Sequence, residues 1–168
     1  NIDNVYLIFA GQVLTIPCCG PAPVPTTPPT GPATPVPPSG DAFELGGQTQ
    51  TFANKQTMKD SGMTWVKFQH KWAPGDSADV LVPLLQDAKS NGFKVLISVT
   101  GRQTYPAPDS IDFAAFAQFM GALAAQGPDA IEVWNEQNID FEWPAGQIDP
   151  ASYVNNMLTP AYAAIKAA

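Results

Sequence analysis

The sequence predicts an α/β fold built on a parallel sheet, and three observations carry that expectation. A helix-like segment ends in glycine and an apolar segment follows at once, three times over. Lys59-Asp60-Ser61-Gly62-Met63 leads into Thr64–Phe68, Lys89-Ser90-Asn91-Gly92-Phe93 into Lys94–Val99, and Ala124-Ala125-Gln126-Gly127-Pro128 into Ala130–Trp134. The glycines recur at spacings of 30 and 35 residues, the length of a βα unit. Val95-Leu96-Ile97-Ser98-Val99 is nearly unbroken apolar sequence, as a parallel strand covered on both faces requires. Alternating strands and helices imply a parallel sheet, without choosing between an open sheet and a closed barrel.

Taken in order, the strands are expected at residues 43–47, 64–69, 94–100 and 130–136, the first opening with Phe43-Glu44-Leu45. Each of the three glycines stands where a helix C-terminus takes a left-handed residue. Pro83 delays the second helix to a start near Asp79, with Val80, Leu84, Leu85 and Ala88 on its apolar face. The third helix, Asp109–Gly127, has Ser110 as its N-cap and an apolar face of Phe113, Phe116, Ala117, Met120, Leu123 and Ala124, at helical spacing. The fourth opens on Asp149-Pro150 as N-cap and N1, where proline is welcome. Its face is Tyr153, Val154, Met157, Leu158, Ala161 and Ile165, and Pro160 should kink it or break it in two.

The whole chain is less uniform. Of 168 residues 18 are proline, and ten of these fall between Pro17 and Pro38. The chain therefore divides into a short module end (1–17), a Pro/Thr-rich linker (18–40) and a domain (41–168) long enough for its own core. The linker should be extended and polyproline-like, because proline fixes φ and removes backbone donors. Overall, 45% hydrophobic and 14% charged content excludes a wholly disordered chain. No apolar run reaches the 18 or so residues of a membrane span. Net charge is −7, and the 8 basic residues are scattered, which argues against nucleic acid. An acidic surface is compatible with a neutral partner such as a glycan. Cys18 and Cys19 are adjacent and bridge each other only with strain. Either they are free or externally paired thiols beside the linker, or one pairs with a cysteine upstream of Asn1. No Cys/His cluster suggests zinc, and no metal or organic cofactor is implied. Gly46-Gly47 is too short for a glycine-rich phosphate cradle.

Ligands of parallel α/β folds meet the C-terminal ends of the strands. Those ends carry Gln48 on the first strand, and Lys67, Gln69, His70 and Trp72 on the second. The third supplies Thr100, Arg102 and Tyr105, and the fourth Trp134-Asn135-Glu136-Gln137-Asn138 followed by Trp143. Such a mixture suits stacking on sugar faces and hydrogen bonding to hydroxyls.

Two resemblances follow from these residues. Asn1-Ile2, Asn4, Ile8, Gly11-Gln12, Leu14 and Ile16-Pro17 resemble the C-terminal third of a LysM module. That implies binding of N-acetylglucosamine-containing glycans such as peptidoglycan or chitin, through loops that would lie upstream. Ile131-Glu132-Val133-Trp134-Asn135-Glu136 resembles the Asn-Glu signature of the large clan (clan A-like) of retaining glycoside hydrolases with (β/α)8 barrels. The run from Phe43 to Lys166 is most similar to its β-xylosidase-like and cellulase-like members. By motif position the resemblance makes Glu136 the general acid/base and Asn135 the residue that binds the sugar 2-hydroxyl. Val66-Lys67-Phe68 with Trp72 is similar to the clan's second-strand Val-Arg-x…Trp pattern, with lysine in place of arginine. Where the clan often shows a histidine, the third strand offers Ser98 and Thr100.

Asn135, Lys67, Gln69, Trp72, Arg102 and Trp143 are the candidate substrate-binding residues. Glu132 is expected to form a structural ion pair with Lys67, and Trp65, Trp134 and His70 to pack. Trp72 and Trp143 either stack on sugar or pack, and Arg102 either holds a substrate or sits on a solvated loop. A (β/α)8 barrel takes about 250 residues, and the clan's nucleophile lies on the seventh strand. The expectation is therefore the (βα)4 half of a TIM barrel, a fragment holding the acid/base and not the nucleophile. It would belong to an extracellular or cell-wall-associated glycoside hydrolase acting on a polysaccharide, without metal. The alternative is a non-catalytic glycan-binding protein that keeps the barrel as scaffold.

Overall fold

A computed structural model describes residues 43–102 and 105–168; the LysM-like segment, the linker and both cysteines lie outside the described residues. The elements run β1 (Leu45–Gln48), α1 (Lys55–Asp60), β2 (Met63–Trp72), α2 (Val82–Ser90), β3 (Lys94–Gly101), α3 (Phe113–Ala125) and β4 (Ala130–Val133). They close with α4 (Pro150–Ser152), a π-helical stretch (Tyr153–Leu158) and α5 (Thr159–Ala167). The strands form one sheet in the order β1-β2-β3-β4, every pair parallel. Crossovers between parallel strands are right-handed as a rule, and steps that all run one way lay every helix on one face. A doubly wound sheet reverses its strand order and covers both faces; this order does not reverse.

Alternation along the strands agrees. Val66, Phe68 and Trp72 of β2 and Val95, Ile97 and Val99 of β3 are buried and join Leu85, Ala88, Phe116, Met120, Leu123, Met157 and Ala161 in one core. On the opposite face Trp65, Lys67, Gln69 and Lys71 of β2 stay half-buried or exposed, whereas Ser98 and Thr100 of β3 are buried and donate to Glu132 and Glu142. The three turns read from the sequence have the left-handed glycines expected, with φ of +79° at Gly62, +82° at Gly92 and +76° at Gly127. Asp149 caps α4, accepting from the backbone of Ala151 at 3.0 Å and Ser152 at 3.2 Å.

Several details differ from the sequence expectation. The first strand begins at Leu45, and Phe43 is exposed. The fourth ends at Val133, three residues early. Asp112, not Ser110, caps α3, because Pro108–Ser110 form a separate 3₁₀ turn. Val80 is exposed: it lies in the 3₁₀ turn Ala78–Leu81, whose three-residue period turns Ala78 and Leu81 inward instead. Helical structure runs on through Pro160, so the proline does not break it in two, with the π-helical stretch immediately before α5. Val154, expected on the buried face, lies in that stretch and is exposed.

Candidate functional site

β4 stops because the backbone turns left-handed. Trp134 has φ +67° and Glu136 φ +46°, values that non-glycine residues adopt at a cost of about 1–3 kcal/mol each. Contacts from four other segments hold this turn. The Tyr153 hydroxyl donates to the Val133 carbonyl at 2.7 Å. Trp134 Nε1 donates to the Glu142 carbonyl at 2.9 Å, and the Glu142 carboxylate accepts from Thr100 Oγ1 at 2.6 Å. The Trp134 ring lies against Gly101 so closely that a Cβ there would come within 2.7 Å of it. Phe116 and Trp143 meet the same ring edge-on. The loop thus folds back on the end of β3 and buries Trp134. Asn135 is left half-buried, and the Glu136 side chain is exposed at the rim.

A third left-handed residue, Phe52 with φ +50°, follows β1. Its ring is buried edge-on against Phe68 and Phe93, and its N–H donates to Thr49 Oγ1 at 3.2 Å. This turn leaves Gln48 and Gln50 exposed beside the end of β2. A cavity of about 200 Å³ opens there between Gln48, Thr49, Gln50, Gln69 and Lys71, floored by Phe68 and Leu84. Two larger cavities lie elsewhere. One of about 460 Å³ sits against the bare sheet face around Trp65 and Lys67, and one of about 560 Å³ runs beside the free edge of β4. Neither is lined by Glu136, so size does not identify the site.

The remaining candidates divide. Lys67 is engaged: its ammonium contacts both Glu132 oxygens, at 2.7 and 2.9 Å, and Ser98 Oγ donates to the same carboxylate at 2.7 Å. Glu132 and Lys67 form the expected ion pair, which occupies the ammonium. Trp72 and Trp143 are each 1% exposed and present no face to a sugar. Trp72 packs edge-on against Phe116, and Trp143 against Trp134 and Tyr153. The parity of β2 explains the first, since Trp72 shares the helix-covered face with Val66 and Phe68. Arg102 remains exposed but is tied down, donating to Asp76 at 2.7 Å and to the Lys71 carbonyl at 3.3 Å. Gln69 is exposed and lines the 200 Å³ cavity.

His70 stacks on Phe119 at 5.3 Å, with Nε2 3.8 Å from Asp76. Burial lowers its pKa; Asp76 opposes that shift and Arg102 adds to it. Burial, then Glu132, pushes the Tyr153 hydroxyl up, which keeps it a donor to Val133.

The Glu142–Thr100 and Tyr153–Val133 braces were not visible in the sequence. Their partners are 42 and 20 residues apart, and no spacing rule connects them. Among the described residues no group of three or more His, Cys, Asp or Glu side chains is placed to hold a metal, and no helix is long and apolar enough to cross a membrane. Comparisons with protein-family models, with curated proteins and with solved structures find no match to this chain.

Proposed function

We propose that residues 41–168 are the first half of a (β/α)8 retaining glycoside hydrolase, with Glu136 as general acid/base and Asn135 as a contact to the sugar 2-hydroxyl. The observation that carries this reading is the backbone at Trp134-Asn135-Glu136. Two strained residues put an exposed carboxylate at the C-terminal rim of the sheet, and such strain persists where surrounding structure enforces it, commonly at functional sites. The unreversed strand order and one-sided helices suit the wall of a barrel. A glycosidic oxygen leaves only when protonated. A carboxylic acid must donate that proton, and as carboxylate then activate water. The partner nucleophile, about 5–5.5 Å away in retaining enzymes, belongs by resemblance to a seventh strand, outside these four. The substrate would be an extracellular or cell-wall polysaccharide, with residues 1–17 as the end of a LysM-like anchor for peptidoglycan or chitin.

A second reading has its own support. The other carboxylates on the loop are occupied, Asp140 by the Gly146 N–H at 2.9 Å and Glu142 by Thr100. The described residues taken alone suit glycan binding without hydrolysis.

Amide chemical-shift mapping of the 168-residue chain with β-linked oligosaccharides separates these readings from none at all. Shifts centred on Asn135 and Glu136, weakened in Asn135→Ala, are expected; shifts confined elsewhere contradict the site. The half-site predicts little hydrolysis of an aryl β-glycoside by this chain. Robust hydrolysis abolished by Glu136→Gln would keep the residue and overturn the half-site.

A further inference from the structure

Resting on the glycan reading above, we infer that the cavity between the ends of β1 and β2 is a subsite for a sugar unit that bears a carboxylate. Gln48, Thr49, Gln50, Gln69 and Lys71 line it, and no Asp or Glu does. Its volume of about 200 Å³ lies below the ~300–1,000 Å³ of pockets for drug-sized ligands and suits a single ring. Three carboxamides and a hydroxyl supply the mixed donors and acceptors that match vicinal sugar hydroxyls.

Lys71 supplies the selectivity. The chain has 8 basic residues and a net charge of −7. Lys55, Lys67, Lys89, Lys94 and Arg102 each have a carboxylate partner, and Lys59 and Lys166 lie over aromatic rings. Among the described residues, Lys71 has neither. Its side chain shares the bare face of the sheet with Lys67 and Gln69, and its carbonyl is held by Arg102 Nε. The strand therefore fixes the base of the side chain, and among the described residues no carboxylate pairs with the ammonium. Glu142 is held next door on Thr100, the cross-strand neighbour of Lys71, but none of the residues lining the cavity is acidic, and an ammonium among carboxamides favours an anionic ring substituent over a neutral one.

The cavity and Glu136 stand on the same rim. β2 and β4 are two strand spacings apart, about 10 Å, so the cavity receives a unit beyond the one at Glu136: the next sugar along the chain or a branch. Gln48 reaches the opening as the last residue of β1, paired with Lys67, and Gln50 follows it two residues before the left-handed Phe52.

The test compares two oligosaccharides of equal length, one carrying a glucuronic acid unit and one with glucose in its place, titrated into the 168-residue chain at low salt. The acidic sugar should bind about fivefold more tightly, the scale of one solvent-exposed ion pair. That preference should vanish in Lys71→Gln, fall with added salt, and persist in Glu136→Gln. Equal binding of the two sugars, or a preference that survives Lys71→Gln, would overturn the subsite while the glycan reading stands. Failure of both sugars to bind would remove the glycan reading and the subsite together.

Discussion

The two ends of the sheet handle left-handed backbone differently. Where helices hand over to β2, β3 and β4, the positive-φ residues are Gly62, Gly92 and Gly127, which adopt that conformation at no steric cost. Where strands hand over to loops, Gly75 and Gly146 occur, and so do the three left-handed non-glycines among the described residues, Phe52, Trp134 and Glu136. The first end carries its left-handed turns on glycine alone, without side-chain strain. The second carries strain held in place by the Tyr153, Glu142 and Gly101 contacts around Trp134. It is also the end at which parallel α/β folds bind ligands.

Removing the Trp134 wedge should have the largest effect. Trp134→Ala is expected to cost about 3–5 kcal/mol, read from urea denaturation midpoints, and to collapse the strained turn. A gentler pair isolates its hydrogen bond. Trp134→Phe leaves the Glu142 carbonyl without its donor, whereas Trp143→Phe removes an indole N–H that has no partner among the described residues. The first should therefore be the more destabilising by about 1–3 kcal/mol; equal losses would mean that the brace is inert.

Next come opposite substitutions at the two ends. Gly92→Ala meets no atom within 4 Å of the added Cβ, so its cost is conformational, about 1–2 kcal/mol. Glu136→Gly should instead stabilise by about 0.5 kcal/mol, because relief of left-handed strain exceeds the chain entropy that glycine loses on folding. Thermal denaturation of the two variants checks both signs. If Glu136→Gly is as destabilising as Gly92→Ala, the two ends do not differ as described.

The smallest effect belongs to His70. Its pKa is depressed in the folded protein, chiefly by burial, against an ordinary value of about 6.5 in the unfolded chain. Protonation thus favours the unfolded state. Stability should be fully present above about pH 6.5 and fall as pH drops towards the folded pKa. Urea midpoints at pH 7.5 and 5.5 should show a smaller difference in His70→Gln than in the parent chain.

The sequence made one of these ends legible and obscured the other. A glycine after a helix, followed by an apolar run, announces a turn with a known conformation, and all three such turns were readable. Parity along the fourth strand turned Glu132 inward towards Lys67, because a strand's alternation is regular. The rim was harder. Trp134 carries a strand's side chain but not a strand's backbone, so the fourth strand looked three residues longer than it is. Trp72 and Trp143 stayed open between platform and packing because nothing local says that Phe116, Tyr153 and Trp134 close over them. Thr100–Glu142 is a contact between distant segments, fixed by the loop's fold and not by any spacing.

The account rests on the Glu136 carboxyl meeting a glycosidic oxygen. The most direct measurement is a crystal structure of the 168-residue chain soaked with a β-linked oligosaccharide. The account predicts a glycosidic oxygen within about 2.6–3.2 Å of that carboxyl, with Asn135 on the adjoining 2-hydroxyl. A sugar bound only elsewhere, for example on the bare face around Trp65, with Glu136 untouched, would contradict it.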